Sequence, residues 1–169
     1  CSIIWRPLNQ TLSNKVEGIQ KRAIKWILSE EGSQFSYSCR ATYLKKCREI
    51  KLLPLSKRFD LNDIMFLHKI IHKTIPVDLP HYLKLFDGNS RLRSTHYDHL
   101  SLIASIHPTT TYNATRTSNQ FANCFFYRTH SKWNELPLSM REIDCPVHFK
   151  FCLKKHIWDH LSLSDNDDN

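Results

Sequence analysis

The chain has 169 residues, enough for one domain with a buried core, and its 41% hydrophobic and 24% charged residues are ordinary for a globular protein. No apolar run approaches the roughly 18 residues that span a bilayer, and three glycines are too few for a sandwich or barrel with many tight turns, which favours a mainly α bundle of about five helices. The formal net charge of +8 points to a polyanionic partner.

A first helix is predicted from Asn14 to about Ser29. Asn14 followed by Glu17 has the pattern of a capping box, in which two side chains satisfy unpaired N–H groups at a helix start. Six apolar residues recur at the spacing of one helical face: Leu12, Val16, Ile19, Ala23, Trp26 and Ile27. Four cations fall on another arc: Lys15, Lys21, Arg22 and Lys25. Residues 1–60 hold 12 Lys or Arg against 5 Asp or Glu, so positive charge is concentrated here.

Two further helices are predicted before residue 75. The second is short and is indicated by Tyr37, Ala41 and Leu44, with four cations on its wet sides: Arg40, Lys45, Lys46 and Arg48. Pro54 is well placed to start the third, which runs to about Lys73 and is apolar around most of its circumference, as is typical of a central helix. Asp63 falls on its apolar side. A buried carboxylate needs a cation, either Arg58 or a basic residue from another element.

The middle of the chain carries the weakest signals. Pro76 and Pro80 bracket a turn, and a short helical piece is predicted from His81 to Phe86. Residues 88–115 are rich in Ser, Thr and His, with clusters of β-branched residues. A short β-hairpin is therefore expected around residues 95–120.

Residues 116–137 form the most distinctive tract, with five large aromatic residues and three cations threaded among them. Because aromatic residues of this size dominate burial, the tract is expected to lie against a core as a helix from about Asn119 to Glu135, ended by Pro137. Asp144 and Pro146 then open a last helix to about Leu161. Four of its residues are predicted to point inward: Val147, Phe151, Trp158 and Leu161. The acidic residues 162–169 are predicted to be a disordered tail.

Five pieces of the chain, in this order, carry a resemblance to a known family. They are Ile4-Trp5-Arg6-Pro7; residues 16–23 (VEGIQKRA); residues 53–72, with Asp63 and Lys69; Phe121 and Arg128 followed by Trp133-Asn134 and Leu136-Pro137; and Phe149-Lys150 with Leu153-Lys154. Together they resemble the region that follows the reverse transcriptase domain in jockey-like non-long-terminal-repeat retrotransposon polyproteins. The resemblance covers most of residues 3–155, and it departs from the family where His68 replaces the usual Tyr.

The resemblance implies a fragment without catalytic residues of its own. Residues 1–30 would be the thumb-like basic helix after the polymerase palm, and residues 31–161 a C-terminal helical domain. Cys1 in place of an initiator Met agrees with the tail of a longer product. The polymerase needs paired Asp residues to hold two Mg²⁺ ions, and the adjacent pair in this chain is Asp167-Asp168 in the acidic tail. Neither polymerase nor endonuclease activity is expected, and no cofactor.

The expected function is to help hold template RNA or target DNA beside the upstream polymerase domain. Candidate contacts with the phosphate backbone are Lys15, Lys21, Arg22, Lys25, Arg128 and Lys132. The aromatic residues around Arg128 would form a stacking platform for single strands if they were exposed. Two rival functions stay open: a domesticated helical module that binds a protein partner, and a non-functional fragment. A palm motif continuous with Cys1 would support the first function, whereas an in-frame Met just before Cys1 would support the rivals.

Cysteine and histidine spacing predicts no metal site. Five residues invite a zinc interpretation: Cys145, His148, Cys152, His156 and His160. The last four lie at i, i+4, i+8 and i+12 of one predicted helix, a stripe too long to converge on one tetrahedral ion at about 2.0–2.3 Å. His68 and His72 are also spaced for chelation, but a structural role is favoured. The six cysteines lack the regular spacing of a secreted disulfide scaffold, which indicates free thiols in an intracellular compartment, the nucleus or the cytoplasm.

Overall fold

A computed structural model of the chain describes residues 3–4, 6–7, 9–28, 40–87, 98–104 and 124–163. Within these ranges the protein is mainly helical, with one small antiparallel sheet. The elements are α1 (Gln10–Ile27), α2 (Arg40–Glu49), α3 (Leu55–Ile71), β1 (Leu83–Leu85), β2 (Leu102–Ala104), α4 (Phe125–Asn134), α5 (Leu138–Arg141) and α6 (Pro146–Leu163). The predicted mainly α class is confirmed.

Helix α3 is the centre of the fold, as its sequence predicted. Pro54 occupies its N-cap position, where a missing N–H leaves nothing unsatisfied. Five apolar residues of α3 are buried: Leu61, Ile64, Leu67, Ile70 and Ile71. They pack against α4 and α6, while α1 contacts the N-terminal end of α3. The main core therefore lies between α3, α4, α6 and the small sheet.

Helix α1 begins four residues earlier than its capping-box pattern predicted. Asn9, and not Asn14, caps it by accepting a hydrogen bond from the backbone N–H of Thr11 (2.7 Å). The carboxylate of Glu17 accepts the backbone N–H groups of Leu55 (2.9 Å) and Ser56 (3.1 Å). Glu17 thus caps α3, where it satisfies N–H groups that have no partner inside that helix.

The apolar face that periodicity indicates on α1 is largely exposed and does not face the core. Ile19 is 58% exposed and Trp26 is 73% exposed, whereas Gln20 and Ile24 are buried. The side-chain amide nitrogen of Gln20 donates to the Tyr43 hydroxyl and to the carbonyl oxygen of Leu53, both at 3.0 Å. A buried polar side chain needs such partners, so these hydrogen bonds stabilise the orientation in which the polar Gln20 faces inward.

The predicted short β-hairpin is present as a two-stranded sheet, but its first strand lies earlier in the chain. Strand β1 pairs with β2 in an antiparallel register, with Leu83 opposite Ala104 and Leu85 opposite Leu102. The helical piece predicted from His81 to Phe86 is therefore wrong. Burial of Leu83 and Leu102 outweighs the local helical preference of this stretch. Residues 95–97 and 105–120 of the predicted hairpin lie outside the described residues.

Trp133 and Asn134 anchor the sheet to α4. Asn134 accepts the backbone N–H of Leu102 and donates to its carbonyl oxygen, both at 2.8 Å, which replaces a neighbouring strand on that edge. The indole N–H of the fully buried Trp133 donates to the carbonyl oxygen of Leu100 (2.8 Å). The buried Arg141 holds the start of the same segment through a bidentate pair with Asp98.

The last helix runs as predicted, but two of its four predicted inward residues are not in the core. Leu161 is buried and Trp158 is half-buried. Val147 and Phe151 are exposed. The core face of α6 is formed instead by residues spaced four apart: Phe149, Leu153, Ile157 and Leu161. The aromatic helix α4 ends where predicted, while residues 119–123 and the tail from 164 lie outside the described residues. The division at residue 30 stays a prediction.

Candidate nucleic-acid interface

Asp63 joins three distant parts of the chain in one buried ionic cluster. Its carboxylate is fully buried and is held in a bidentate pair by Arg128, with Nε–Oδ2 at 3.0 Å and Nη2–Oδ1 at 3.2 Å. Nη1 of Arg6 also donates to Oδ2 of Asp63 at 3.2 Å. The sequence-based expectation of a cation from another element is confirmed, whereas Arg58 bonds to Gln20 and is not the partner.

Asp60 extends this cluster toward solvent. Its Oδ1 lies 2.7 Å from Nη1 of Arg6 and 2.5 Å from Nζ of Lys132. Lys57 lies one helical turn earlier, with Nζ at 4.0 Å from Oδ2. Burial by itself would raise the pKa of the Asp60 carboxyl, but the hydrogen bond and charge of Lys132, followed by Arg6, lower it below its usual range. The cluster therefore holds two carboxylates among four cations.

Three cavities adjoin one another around the N-terminal half of α3. Their volumes are about 510, 480 and 370 Å³. The first and second share Lys132, the second and third share Ser56, and the first and third share Arg40, Lys57 and Leu161. We call this concave surface the α3 groove.

The α3 groove is positively charged. Among the described residues that line it, six are cations and three are acids. The cations are Arg6, Lys21, Arg40, Lys57, Arg128 and Lys132, and the acids are Glu17, Asp60 and Glu135. Glu17 and Asp60 are already engaged in hydrogen bonds within the protein. A concave wall of low dielectric strengthens the field of such a cation set.

Of the six cations predicted to contact phosphate, three line the α3 groove and three lie outside it. Lys21, Arg128 and Lys132 line the α3 groove, but Arg128 and Lys132 are also partners of Asp63 and Asp60. Lys15 and Arg22 are exposed on α1 outside the groove, and Lys25 is half-buried there.

Three cations of the α3 groove were missed as candidate sites: Arg6, Arg40 and Lys57. Arg40 and Lys57 belong to different helices, and no spacing in the sequence connects them. Arg6 carried a signal, since it lies within the Trp-Arg-Pro piece of the family resemblance.

Compared with known proteins, the chain matches no family model, no curated protein and no solved structure. Its assignment therefore depends on its own residues.

The aromatic residues of α4 do not form an exposed platform for base stacking. Trp133 is fully buried, and Phe125, Phe126 and Tyr127 are half-buried. The rings of Phe125 and Phe126 pack edge to face with centroids 5.0 Å apart, and Phe125 contacts Phe66 of α3 in the same way. Their contacts are those of core residues.

The histidines and cysteines of α6 are spread along the helix as their spacing predicted. Cys145 and His148 are exposed at its start. The rings of His156 and His160 pack edge to face, with their centroids 4.3 Å apart. No group of three or more His, Cys, Asp or Glu that could hold a metal ion occurs in the described part of the chain. None of the helices that the structure describes is long and apolar enough to cross a bilayer.

His68 and His72 connect α3 to the segment between α5 and α6. The Nε2 of His68 donates to the carbonyl oxygen of Ile143 (2.6 Å), and the Nε2 of His72 donates to that of Arg141 (2.8 Å). His68 is fully buried, and its ring stacks on that of Phe149 with the ring centroids 4.0 Å apart. Its other ring nitrogen, Nδ1, has no hydrogen-bond partner among the described residues. These contacts assign a structural role to the pair.

His68 is expected to make the protein less stable in weak acid. Burial lowers the pKa of His68 more than the Ile143 carbonyl raises it, so the folded imidazole stays neutral where the unfolded one takes up a proton. The free energy of unfolding should therefore fall as the pH decreases through the usual histidine pKa of about 6.5. Urea unfolding at pH 7.5 and 5.5 measures this change. His68→Leu should reduce the difference between the two pH values, while His81→Asn, at an exposed position, should leave it unchanged. If the difference in free energy of unfolding between the two pH values were the same in His68→Leu as in the parent chain, His68 would not be its cause.

Proposed function

We propose that this chain is the C-terminal region of a retrotransposon reverse transcriptase and binds the backbone of template RNA or target DNA in the α3 groove. Its role is non-catalytic and supports the polymerase domain of the same polyprotein. The observation that carries the proposal is the α3 groove, in which six cations from five separate parts of the chain surround one concave surface. The sequence resemblance and the net charge of +8 support it independently.

The cations of the α3 groove suit a nucleic-acid backbone better than a single small anion. They are distributed along three adjoining cavities, so a chain of phosphates can contact several of them in succession. Arg40 is exposed and the Lys57 side chain is 41% exposed, which leaves both accessible to a ligand. Within the described residues, Arg6 uses Nη1 for Asp60 and Asp63, and its other N–H groups face no partner. Binding is expected to be independent of base sequence, because phosphate contacts carry no base information.

The groove proposal is tested with a fluorescent 20-nucleotide RNA and a DNA duplex of equal length. Binding to the full chain is measured by fluorescence anisotropy at several salt concentrations. About four phosphates neutralised on single-stranded RNA imply a slope of log K against log salt near −3. The double variant Arg40→Glu/Lys57→Glu should weaken binding at least tenfold and make the slope shallower. Asp60 keeps Arg6 and Lys132 as partners in this variant, so the fold should be retained.

A matched control separates a local site from overall charge. Lys84→Glu/Lys150→Glu changes the net charge by the same amount at two exposed positions that do not line the α3 groove. This control should bind RNA nearly as well as the parent chain. Equal losses in the two double variants would show that only net charge matters, and absence of binding at low salt would favour the rival functions.

The rival function as a protein-interaction module is favoured by a different observation. Leu12, Ile19, Trp26 and Ile27 of α1 are all more than half exposed. Exposed apolar residues grouped on one face are typical of interaction surfaces.

A further inference from the structure

The exposed face of α1 has the residue spacing of a coiled-coil seam. Five apolar residues follow one another at alternating steps of four and three: Leu12, Val16, Ile19, Ala23 and Trp26. This is the spacing of a and d positions over slightly more than two heptads. Leu12, Ile19, Ala23 and Trp26 are exposed and Val16 is partly buried, in the part of the chain that the structure describes. We call these five residues the α1 seam.

The orientation of α1 prevents the seam from turning into the core of its own domain. Gln20 and Ile24 of the neighbouring face are buried against α2 and α3. Gln20 is held by Tyr43 and by the Leu53 carbonyl, and Glu17 is held by the first N–H groups of α3. Rotation of α1 would break these hydrogen bonds and leave buried polar groups without partners. The seam therefore stays available to a partner.

The charges beside the seam indicate the chemistry of that partner. Lys15 and Arg22 are exposed, lie seven residues apart and occupy the same flanking position in each heptad. The one acidic residue of α1, Glu17, points to α3 and offers no opposite charge at the seam. In an antiparallel pair of two copies, Lys15 would face Arg22 of the other copy, which disfavours self-association.

We propose that the α1 seam binds an amphipathic α-helix of a partner protein, with acidic residues flanking an apolar face. Helix recognition of this kind uses anchors at i, i+3, i+4 and i+7, as the seam presents them. A nucleic-acid backbone would leave the apolar side chains of the seam without a partner. The binding surface differs from the α3 groove, so the two functions are separable by mutation.

A synthetic three-heptad peptide tests the proposal on the full chain. The labelled peptide carries Leu at its a and d positions and Glu at its e and g positions, and a second peptide carries Lys instead of Glu. Anisotropy should show binding of the Glu peptide at least tenfold tighter than that of the Lys peptide. Ile19→Gln/Trp26→Gln should weaken Glu-peptide binding at least tenfold, and Lys15→Glu/Arg22→Glu should reverse the preference between peptides.

Two controls assign any loss to the seam. Val147→Gln/Phe151→Gln removes two exposed apolar side chains from α6 and should bind the Glu peptide like the parent chain, as should Arg40→Glu/Lys57→Glu. Equal loss in the α6 variant, or no loss in the seam variant, would overturn the proposal. It would also be overturned by seam-dependent self-association in sedimentation without peptide, or by seam-dependent binding to anionic vesicles that is tighter than binding to the Glu peptide.

Discussion

Replacing Trp133 by alanine is expected to lower the free energy of unfolding by about 3–5 kcal/mol. Trp133 is fully buried, and its ring lies 6.0 Å from that of Phe149 between centroids. The substitution leaves a cavity at the contact of α4 with α6 and removes the donor to the Leu100 carbonyl. The carbonyl that supports the start of β2 then loses its partner, which adds to the loss from the cavity.

Denaturant unfolding of Trp133→Ala and of Trp26→Ala measures this effect. Trp26→Ala is the matched control, since it removes the same side chain from a position that is 73% exposed. Its free energy of unfolding should change by less than about 0.5 kcal/mol. Similar values for the two variants would contradict the central position of Trp133 in the core.

Replacing Asp63 by alanine is expected to lower the free energy of unfolding by about 3–5 kcal/mol, because it leaves buried cations without their carboxylate. Arg128 has a side chain that is 13% exposed, and Arg6 one that is 20% exposed. Arg6 keeps Asp60 as a partner, whereas Arg128 loses both of its bonds to a carboxylate. The substitution thus removes the contact of α3 with α4 and the N-terminal segment through Asp63, while the contact through Asp60 remains.

Asp78→Ala is the control for Asp63→Ala. Asp78 pairs with Lys73 at 3.2 Å, but its side chain is 94% exposed, and exposed ion pairs contribute about 0–1 kcal/mol. In thermal and urea unfolding, Asp63→Ala should therefore lose much more stability than Asp78→Ala. The double variant Asp63→Leu/Arg128→Met should recover part of the stability, since it removes the charge of Arg128 along with that of Asp63. A double variant less stable than Asp63→Ala would argue against loss of the Asp63–Arg128 ion pair as the cause.

The helices that were predicted correctly are those whose signals are local. Pro54 is the N-cap of α3 and Pro146 is the first residue of α6, because the fixed φ of proline and its missing N–H suit a helix start wherever the chain folds. The apolar circumference of α3 likewise required a central position. The Trp-Asn-Glu-Leu-Pro run ended α4 as expected, since proline cannot continue a helix.

The errors concern elements whose environment lies far away in the sequence. The short stretch 81–86 contains strand β1 and no helix, because Leu83 pairs with Ala104, 21 residues later in the chain. Glu17 sits three residues after Asn14 as a capping box requires, yet its carboxylate caps a helix that begins 38 residues further on. In α1 the apolar face was correctly recognised as a face, but periodicity cannot say whether a face meets the core of its own chain or a partner.

The sequence by itself determined the helical class, the central α3, the need of Asp63 for a cationic partner, and the basic character that directed attention to polyanions. Only the tertiary structure decided which cations share a surface. The α3 groove combines Arg6, Arg40, Lys57 and Lys132 from four separate parts of the chain. Tertiary packing also decided that the seam of α1 faces outward, because Gln20 and Ile24 of the adjoining face are buried beside Tyr43 and Glu17 caps α3. These contacts join residues that are distant in the sequence, and local spacing does not reveal them.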